Sequence, residues 1–274
     1  MQAKKIFYSF FIIFLVLSLT ACSSTLPDVA KKDVTKEEQK SNEVHTAHWS
    51  YEGETGPEHW GDINPDYAAC TNGKEQSPVN IEMSKVIEDE KIKDLDINYK
   101  PTGFSLSNNG HTIQANPQTL DNSIVVDNKE YKLAQFHFHT PSEHQFNGQN
   151  FDMELHLVHK DANNQLAVLG LMIKEGASNP YLEKAWNVIP TEETTEDVKL
   201  TESIDLMNLL PKDKDSFRYN GSLTTPPCSE AVKWIVLAEP IEMSKEQIDK
   251  FRKIFPDNHR PVQSLNEREV KEDD

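Results

Sequence analysis

The chain has 274 residues, of which 36% are hydrophobic and 27% are charged. This length suggests one or two domains and is enough to bury a core without metal or disulfide support. Asp and Glu total 45 against 28 Lys and Arg, for a net charge of -17. Such an acidic surface repels phosphate backbones, which excludes nucleic acid as a partner.

The N-terminal segment is predicted to be a targeting signal. Lys4 and Lys5 precede an apolar stretch from Ile6 to Leu19, which is shorter than the roughly 20 residues of a membrane-spanning helix. The stretch ends in LTAC, which resembles the lipobox of bacterial lipoproteins. We therefore expect residues 1–21 to be a lipoprotein signal peptide and Cys22 to be lipidated, so that only a lipid anchor holds the protein to a membrane. An ordinary signal peptide that happens to carry a cysteine is the alternative.

Residues 22–47 are polar and charged and have no aromatic residue, which predicts a disordered tether after the lipidated Cys22. The composition changes at His48, so the folded domain is expected to span residues 48–274. With Cys22 assigned to the lipid, Cys70 and Cys228 remain as a pair. Outside the cytoplasm two such thiols are normally oxidised, so a disulfide is predicted; two free, buried cysteines are the alternative.

The folded domain is predicted to be mostly β, with short peripheral helices. Strand-like stretches are SIVVD, LAQFHFH, MELHLVH, LAVLGLMI and AVKWIVLAE. Ser244 and Gln247 form a predicted capping box, followed by apolar residues on one helical face. Asn179-Pro180 predicts the start of another short helix, through Trp186.

Two of these strands carry the candidate chemistry. The period of two in a strand places His137 and His139 on one face, and likewise groups Glu154 with His156. Asn147-Gly148 is a strong turn signal between the two strands, so they are expected to pair and bring His156 opposite the other two histidines.

Three neutral imidazoles without a fourth protein ligand are typical of an open, catalytic zinc site. A lone strand histidine is more often a core residue, and His159, on the opposite face, is expected to be one. Gln135 and Glu154 each precede a candidate ligand by two residues, where they could hold its outer ring nitrogen.

The chain resembles an alpha-class carbonic anhydrase of the exported bacterial kind. The resemblance rests on the ordered motifs HWSYEGETGPEHWG (48–61), EQSPVNI (75–81), NNGH (108–111), FHFHTPSEH (136–144), ELHLVH (154–159), LAVLG (166–170), GSLTTPPCSE (221–230) and NHRPVQSLN (258–266). It implies a single domain around one large, twisted, mainly antiparallel sheet with zinc in a conical cleft. It also implies reversible hydration of carbon dioxide to bicarbonate at the cell surface or in the periplasm. Neither an oligomeric state nor the type of membrane is indicated.

The resemblance also implies roles for individual residues. His137, His139 and His156 match the zinc ligands, Thr224 and Glu143 match a hydroxyl–carboxylate relay, and His111 matches a proton shuttle. The apolar pocket for carbon dioxide and the bicarbonate contact are matched by Val158, Val168, Leu223, Trp234 and Thr225. Simple core packing stays an alternative for Trp234. Thr140 and Lys160 stand where animal members carry aromatic residues, which leaves the polarity of the rim undetermined.

Two other functions remain open from the sequence. A cupin-like metal dioxygenase would use Glu143 as a ligand to iron or manganese, although Tyr131 and Asn150 occupy positions where glycines are needed. A non-catalytic surface binding module would be favoured by the loss of a zinc ligand, and none is lost.

Overall fold

A computed structural model describes residues 48–93 and 95–272. The predicted signal peptide, the lipidation site Cys22 and the tether lie outside these residues. The strands are β1 (Asn80–Ile81), β2 (Ile87–Glu88), β3 (Asp96–Asn98), β4 (Phe104–Asn108), β5 (Ile113–Pro117), β6 (Ser123–Val126), β7 (Lys129–His139), β8 (Gln145–Phe146), β9 (Met153–Lys160), β10 (Leu166–Glu175), β11 (Val198–Lys199), β12 (Ser216–Ser222), β13 (Glu230–Leu237), β14 (Ile241–Met243) and β15 (Lys271–Glu272).

The helices are short and peripheral. They are α1 (Trp60–Ile63), α2 (Ala69–Asn72), α3 (Glu183–Asn187) and α4 (Lys245–Arg252), and 3-10 turns span Gly53–Thr55, Pro65–Tyr67, Met83–Lys85 and Leu206–Leu209. Within the described ranges no helix has the length and apolar character needed to cross a membrane.

One large sheet organises the fold, with the order β11-β4-β5-β7-β9-β10-β13-β12-β15-β2. Most neighbouring strands are antiparallel, but β10 pairs in parallel with both β13 and β14. The predicted mostly-β, mainly antiparallel architecture is confirmed. All five strand-like stretches of the sequence form strands, as β6, β7, β9, β10 and β13.

The two faces of the central strands have different surroundings. Leu133, Phe136 and Phe138 of β7 belong to a large apolar cluster on one face. Val158 of β9 belongs to a second cluster with Trp234, on the face that also carries the histidines. This segregation follows from the two-residue period of a strand together with a register shift between Leu133 and Gln135, which keeps Leu133 on the face of Phe136.

Both predicted helices form, with one change of boundary. Ser244 and Gln247 make the predicted capping box at the start of α4. The other predicted helix, α3, begins at Glu183 rather than beside Pro180. The reason is that Asn179 starts a turn before the helix. Its side-chain oxygen accepts a hydrogen bond from the Tyr181 backbone amide, and its backbone amide donates to Gln247 Oε1 at 2.8 Å.

The Asn147-Gly148 turn forms, but it closes a smaller hairpin than the sequence suggested. Both residues have positive φ, 49° and 77°, and the flanking Phe146 and Gln149 exchange backbone hydrogen bonds. This turn lies inside the connection between β7 and β9, so those two strands pair across a longer excursion. Positive φ at both central positions is what makes Asn-Gly favourable there.

Candidate metal centre

Three histidines converge from two paired strands. His137 lies directly opposite His156 in the β7–β9 ladder, and His139 follows two residues later on the same face. The ring centroids are 4.9, 5.2 and 4.7 Å apart for the pairs 137–139, 137–156 and 139–156. One nitrogen from each ring lies within 4.8 Å of the others, a spacing that suits one metal ion.

Hydrogen bonds on the outer nitrogens determine which nitrogen of each ring faces the centre. His137 Nδ1 is 2.9 Å from Gln135 Oε1, and His139 Nδ1 is 2.7 Å from the carbonyl oxygen of Asn258. His156 Nε2 is 2.7 Å from Glu154 Oε1. Because each partner oxygen is an acceptor, each outer nitrogen donates its proton and the inner nitrogen keeps its lone pair.

The inner nitrogens are suited to a cation. Nε2 of His139 is buried and has no hydrogen-bond partner, a costly arrangement unless another group completes it. Burial and the neighbouring imidazoles hold the pKa of His137 well below its usual value. Burial also lowers the pKa of His139 to about 4. The three rings are therefore neutral near pH 7 and fit a metal with open coordination positions.

Glu154 connects the three-histidine centre to a further buried histidine, His144, which was not predicted from the sequence. Its Oε1 lies 2.8 Å from His144 Nδ1, and its Oε2 accepts backbone hydrogen bonds from Glu143 and His144. His144 Nε2 is in turn 2.6 Å from the Tyr219 hydroxyl. Burial raises the pKa of Glu154, but His144 and His156 outweigh it and hold that pKa well below the usual range.

Glu143 is fully buried beside the histidines. Its Oε1 accepts a 2.8 Å hydrogen bond from the Arg260 backbone amide, and its Oε2 lies 3.5 Å from His139 Nε2. Burial raises the pKa of Glu143, while the nearby Thr224 hydroxyl acts to lower it. Oε2 has no well-formed hydrogen bond, so it is the oxygen available to a donor within the site.

An apolar wall adjoins the cluster. Val158, Val168 and Trp234 are buried together, with Leu223 packed against them at partial burial. Trp234 also stabilises the fold, because its Nε1 donates a hydrogen bond to the Ser222 carbonyl at 2.9 Å. Its ring centroid lies 4.9 Å from that of His156. The neighbouring Thr225 is partly exposed.

His111 lies apart from the three-histidine cluster, in the turn between β4 and β5. Its ring is half-buried and stacks on Trp49, with centroids 3.6 Å apart and an interplanar angle of 9°. Burial and the nearby His48 lower its pKa. Asn258 links this turn to the cluster, since its side-chain amide donates to the His111 carbonyl and its own carbonyl accepts from His139.

The predicted disulfide is present. Cys70 and Cys228 are bonded, with Cα atoms 5.0 Å apart, and both are buried against Trp60. Cys228 lies four residues after Thr224, so the bridge restrains the loop that presents Thr224 and Thr225.

Comparisons with known proteins point to one family. A family model described as eukaryotic-type carbonic anhydrase matches residues 55–274. A carbonic anhydrase of Klebsiella pneumoniae is 46% identical over 229 residues, covering 83% of this chain and 92% of the relative. One of Neisseria gonorrhoeae is 44% identical over 227 residues, covering 82% and 88%. A solved α-carbonic anhydrase from Thermovibrio ammonificans, in complex with the inhibitor sulfanilamide, superposes with a TM-score of 0.79 at 48% identity, covering 82% of this chain and 99% of that one.

Proposed function

The chain belongs to the eukaryotic-type carbonic anhydrase family, and we propose that it hydrates carbon dioxide with a zinc ion held by His137, His139 and His156. The family and the identity to named carbonic anhydrases make it an enzyme of carbon dioxide hydration.

One observation carries the metal assignment: His137, His139 and His156 each bring one ring nitrogen within 4.8 Å of the other two, and the buried Nε2 of His139 has no hydrogen-bond partner there. The three imidazoles would hold a divalent ion without offsetting its charge, because all three are uncharged. When bound, zinc lowers the pKa of water to near neutrality, as it is known to do in carbonic anhydrases, and so supplies the nucleophile.

Thr224 and Glu143 orient that nucleophile. When ionised, the Glu143 carboxylate can only accept hydrogen bonds, so in its contact with Thr224 the hydroxyl is the donor. The Thr224 oxygen would then be free to accept a hydrogen bond from the O–H group of the nucleophile. The Arg260 amide, 2.8 Å from Oε1, fixes the other carboxylate oxygen.

The apolar wall receives carbon dioxide, which is uncharged and apolar overall. Val158, Val168, Leu223 and Trp234 offer it no hydrogen bonds and exclude water from the point of attack. Thr225, beside Thr224 and partly exposed, contacts the bicarbonate product.

His111 carries protons between the site and solvent. Its ring is half-buried on Trp49, so one edge can face the cleft while the other exchanges with bulk water. An imidazole is the side chain whose pKa suits proton transfer near neutral pH.

The enzyme acts outside the cytoplasm. The Cys70–Cys228 disulfide supports an oxidising compartment. The lipid anchor at Cys22 rests on the sequence motif alone, since that segment lies outside the described residues.

The alternatives have less support. A cupin-like dioxygenase would need Glu143 as a metal ligand, whereas the matching family model is that of carbonic anhydrase. A non-catalytic binding module would not need three histidines that each bring a ring nitrogen within 4.8 Å of the other two.

The test is to replace His156 with Ala and measure bound zinc and carbon dioxide hydration together. We expect zinc retention and activity both to be lost. A matched His59→Ala variant, which removes an exposed histidine elsewhere, should keep both. Full activity in His156→Ala would overturn the ligand assignment.

A further inference from the structure

Two lysines face each other at the outer end of the strand pair that carries the histidines. In the β7–β9 ladder, Lys132 is directly opposite Lys160, just as His137 is opposite His156. Directly paired residues lie on the same face of a sheet, and residues 156, 158 and 160 alternate onto one face of β9. On β7 a register shift between Leu133 and Gln135 keeps Lys132 on the face of His137. The lysine pair is therefore on the histidine face, about 13 Å along the strand from His156.

The positive charges of Lys132 and Lys160 are not neutralised by a described acidic side chain. Like charges directly opposite each other destabilise a sheet, and both side chains are exposed. Among the described residues neither forms a salt bridge. The adjacent carboxylate, Asp161, is occupied by Lys129 at 3.0 Å. Glu130, two residues from Lys132 on β7, is exposed and forms no salt bridge with either lysine.

The surroundings leave space for a ligand. A cavity of about 680 Å³ has a mixed lining, which includes both lysines, Lys129, the carboxylates of Glu130 and Asp161, and the apolar side chains of Ala134 and Leu120. The Cβ atoms of two directly opposite residues on neighbouring strands are about 5 Å apart. The flexible lysine side chains can therefore bring both ammonium groups to one small oxyanion and donate hydrogen bonds to it. The chain as a whole carries a charge of -17 and repels anions.

We propose that Lys132 and Lys160 form a docking subsite for bicarbonate on the histidine face of the sheet, about 13 Å along β9 from His156. This proposal rests on the proposed function, because that reaction makes bicarbonate the charged species that must cross an acidic surface. Carbon dioxide has no charge and does not need the subsite. The pair thus raises the local concentration of the anion on the face of the sheet that carries the proposed metal site.

Site-resolved NMR tests the subsite separately from catalysis. Sodium bicarbonate is titrated into the ¹⁵N-labelled zinc-loaded protein at pH 8, with sodium chloride keeping the ionic strength constant. We expect saturable shifts of the Lys132 and Lys160 backbone amides. In K132Q/K160Q the binding should weaken about 10-fold, as expected when two exposed charge contacts are lost. The variant should fold, because both side chains are exposed and mutually repulsive.

The matched control is K174Q/K184Q, which removes two positive charges that form salt bridges elsewhere on the surface. It should bind bicarbonate as the wild type does. Absence of a saturable shift, an equal response to chloride, or unchanged binding in K132Q/K160Q would each overturn the proposal. Saturable binding in a protein that fails to hydrate carbon dioxide would support the subsite while rejecting the proposed function.

Discussion

His159 should make the protein lose stability in acid. Its ring is fully buried, lies 2.8 Å from the Tyr99 hydroxyl and is stacked parallel to that ring. Burial lowers its pKa from 6.5 to about 3. The folded protein therefore keeps this imidazole neutral at pH values where the unfolded chain protonates it.

The sign and size of the effect follow from this difference. Below pH 6.5 the unfolded chain binds a proton at His159 that the folded chain does not, so the free energy of unfolding falls as the pH falls. The loss approaches 1.4 kcal/mol per pH unit and continues until about pH 3. Between pH 7 and pH 4 it amounts to about 3 kcal/mol.

Urea unfolding at a series of pH values measures this loss in the free energy of unfolding. His159→Gln keeps an acceptor for the Tyr99 hydroxyl but cannot be protonated, so it should lose about 3 kcal/mol less than the wild type between pH 7 and pH 4. Comparing the two slopes cancels the contributions of the other buried histidines. His59→Gln, which removes an exposed imidazole, should keep the wild-type slope. The reasoning fails if His159→Gln and the wild type lose stability in parallel.

Three further predictions concern proton transfer, the disulfide and the anchor. His111→Ala should lower kcat for hydration about 10-fold or more while leaving kcat/KM almost unchanged, and added imidazole buffer should restore the rate; a proportional loss of kcat/KM would refute the shuttle. Reducing the Cys70–Cys228 bond should lower the melting temperature, since chain entropy for a separation of 158 residues gives about 5 kcal/mol; an unchanged melting curve after full reduction would contradict this. Cys22→Ser should abolish acyl labelling, and labelling that persists would reject the anchor.

Local patterns predicted the elements that bring the histidines together. The alternation in β7 and β9 was sufficient to group the histidines on one face, and the capping box at Ser244 located α4. These features depend on residues a few positions apart, so their periodicity is visible in a single sequence.

Long-range partners could not be predicted in this way. The carbonyl of Asn258 accepts from His139 across 119 residues of sequence, and the Arg260 amide holds Glu143 across 117. Backbone contacts of this kind leave no side-chain pattern to recognise. His144 was also missed, although its position beside Glu143 in the SEH triplet was a signal that the cluster extended further.

The central claim is that three histidines hold one zinc ion on which hydration depends. Its most direct test is to strip the purified protein with a chelator and titrate zinc back while measuring bound metal and the initial rate of carbon dioxide hydration. The account predicts no activity without metal and a rate that rises linearly to a plateau at one zinc per chain. Hydration by the metal-free protein, or zinc binding that restores no activity, would contradict it.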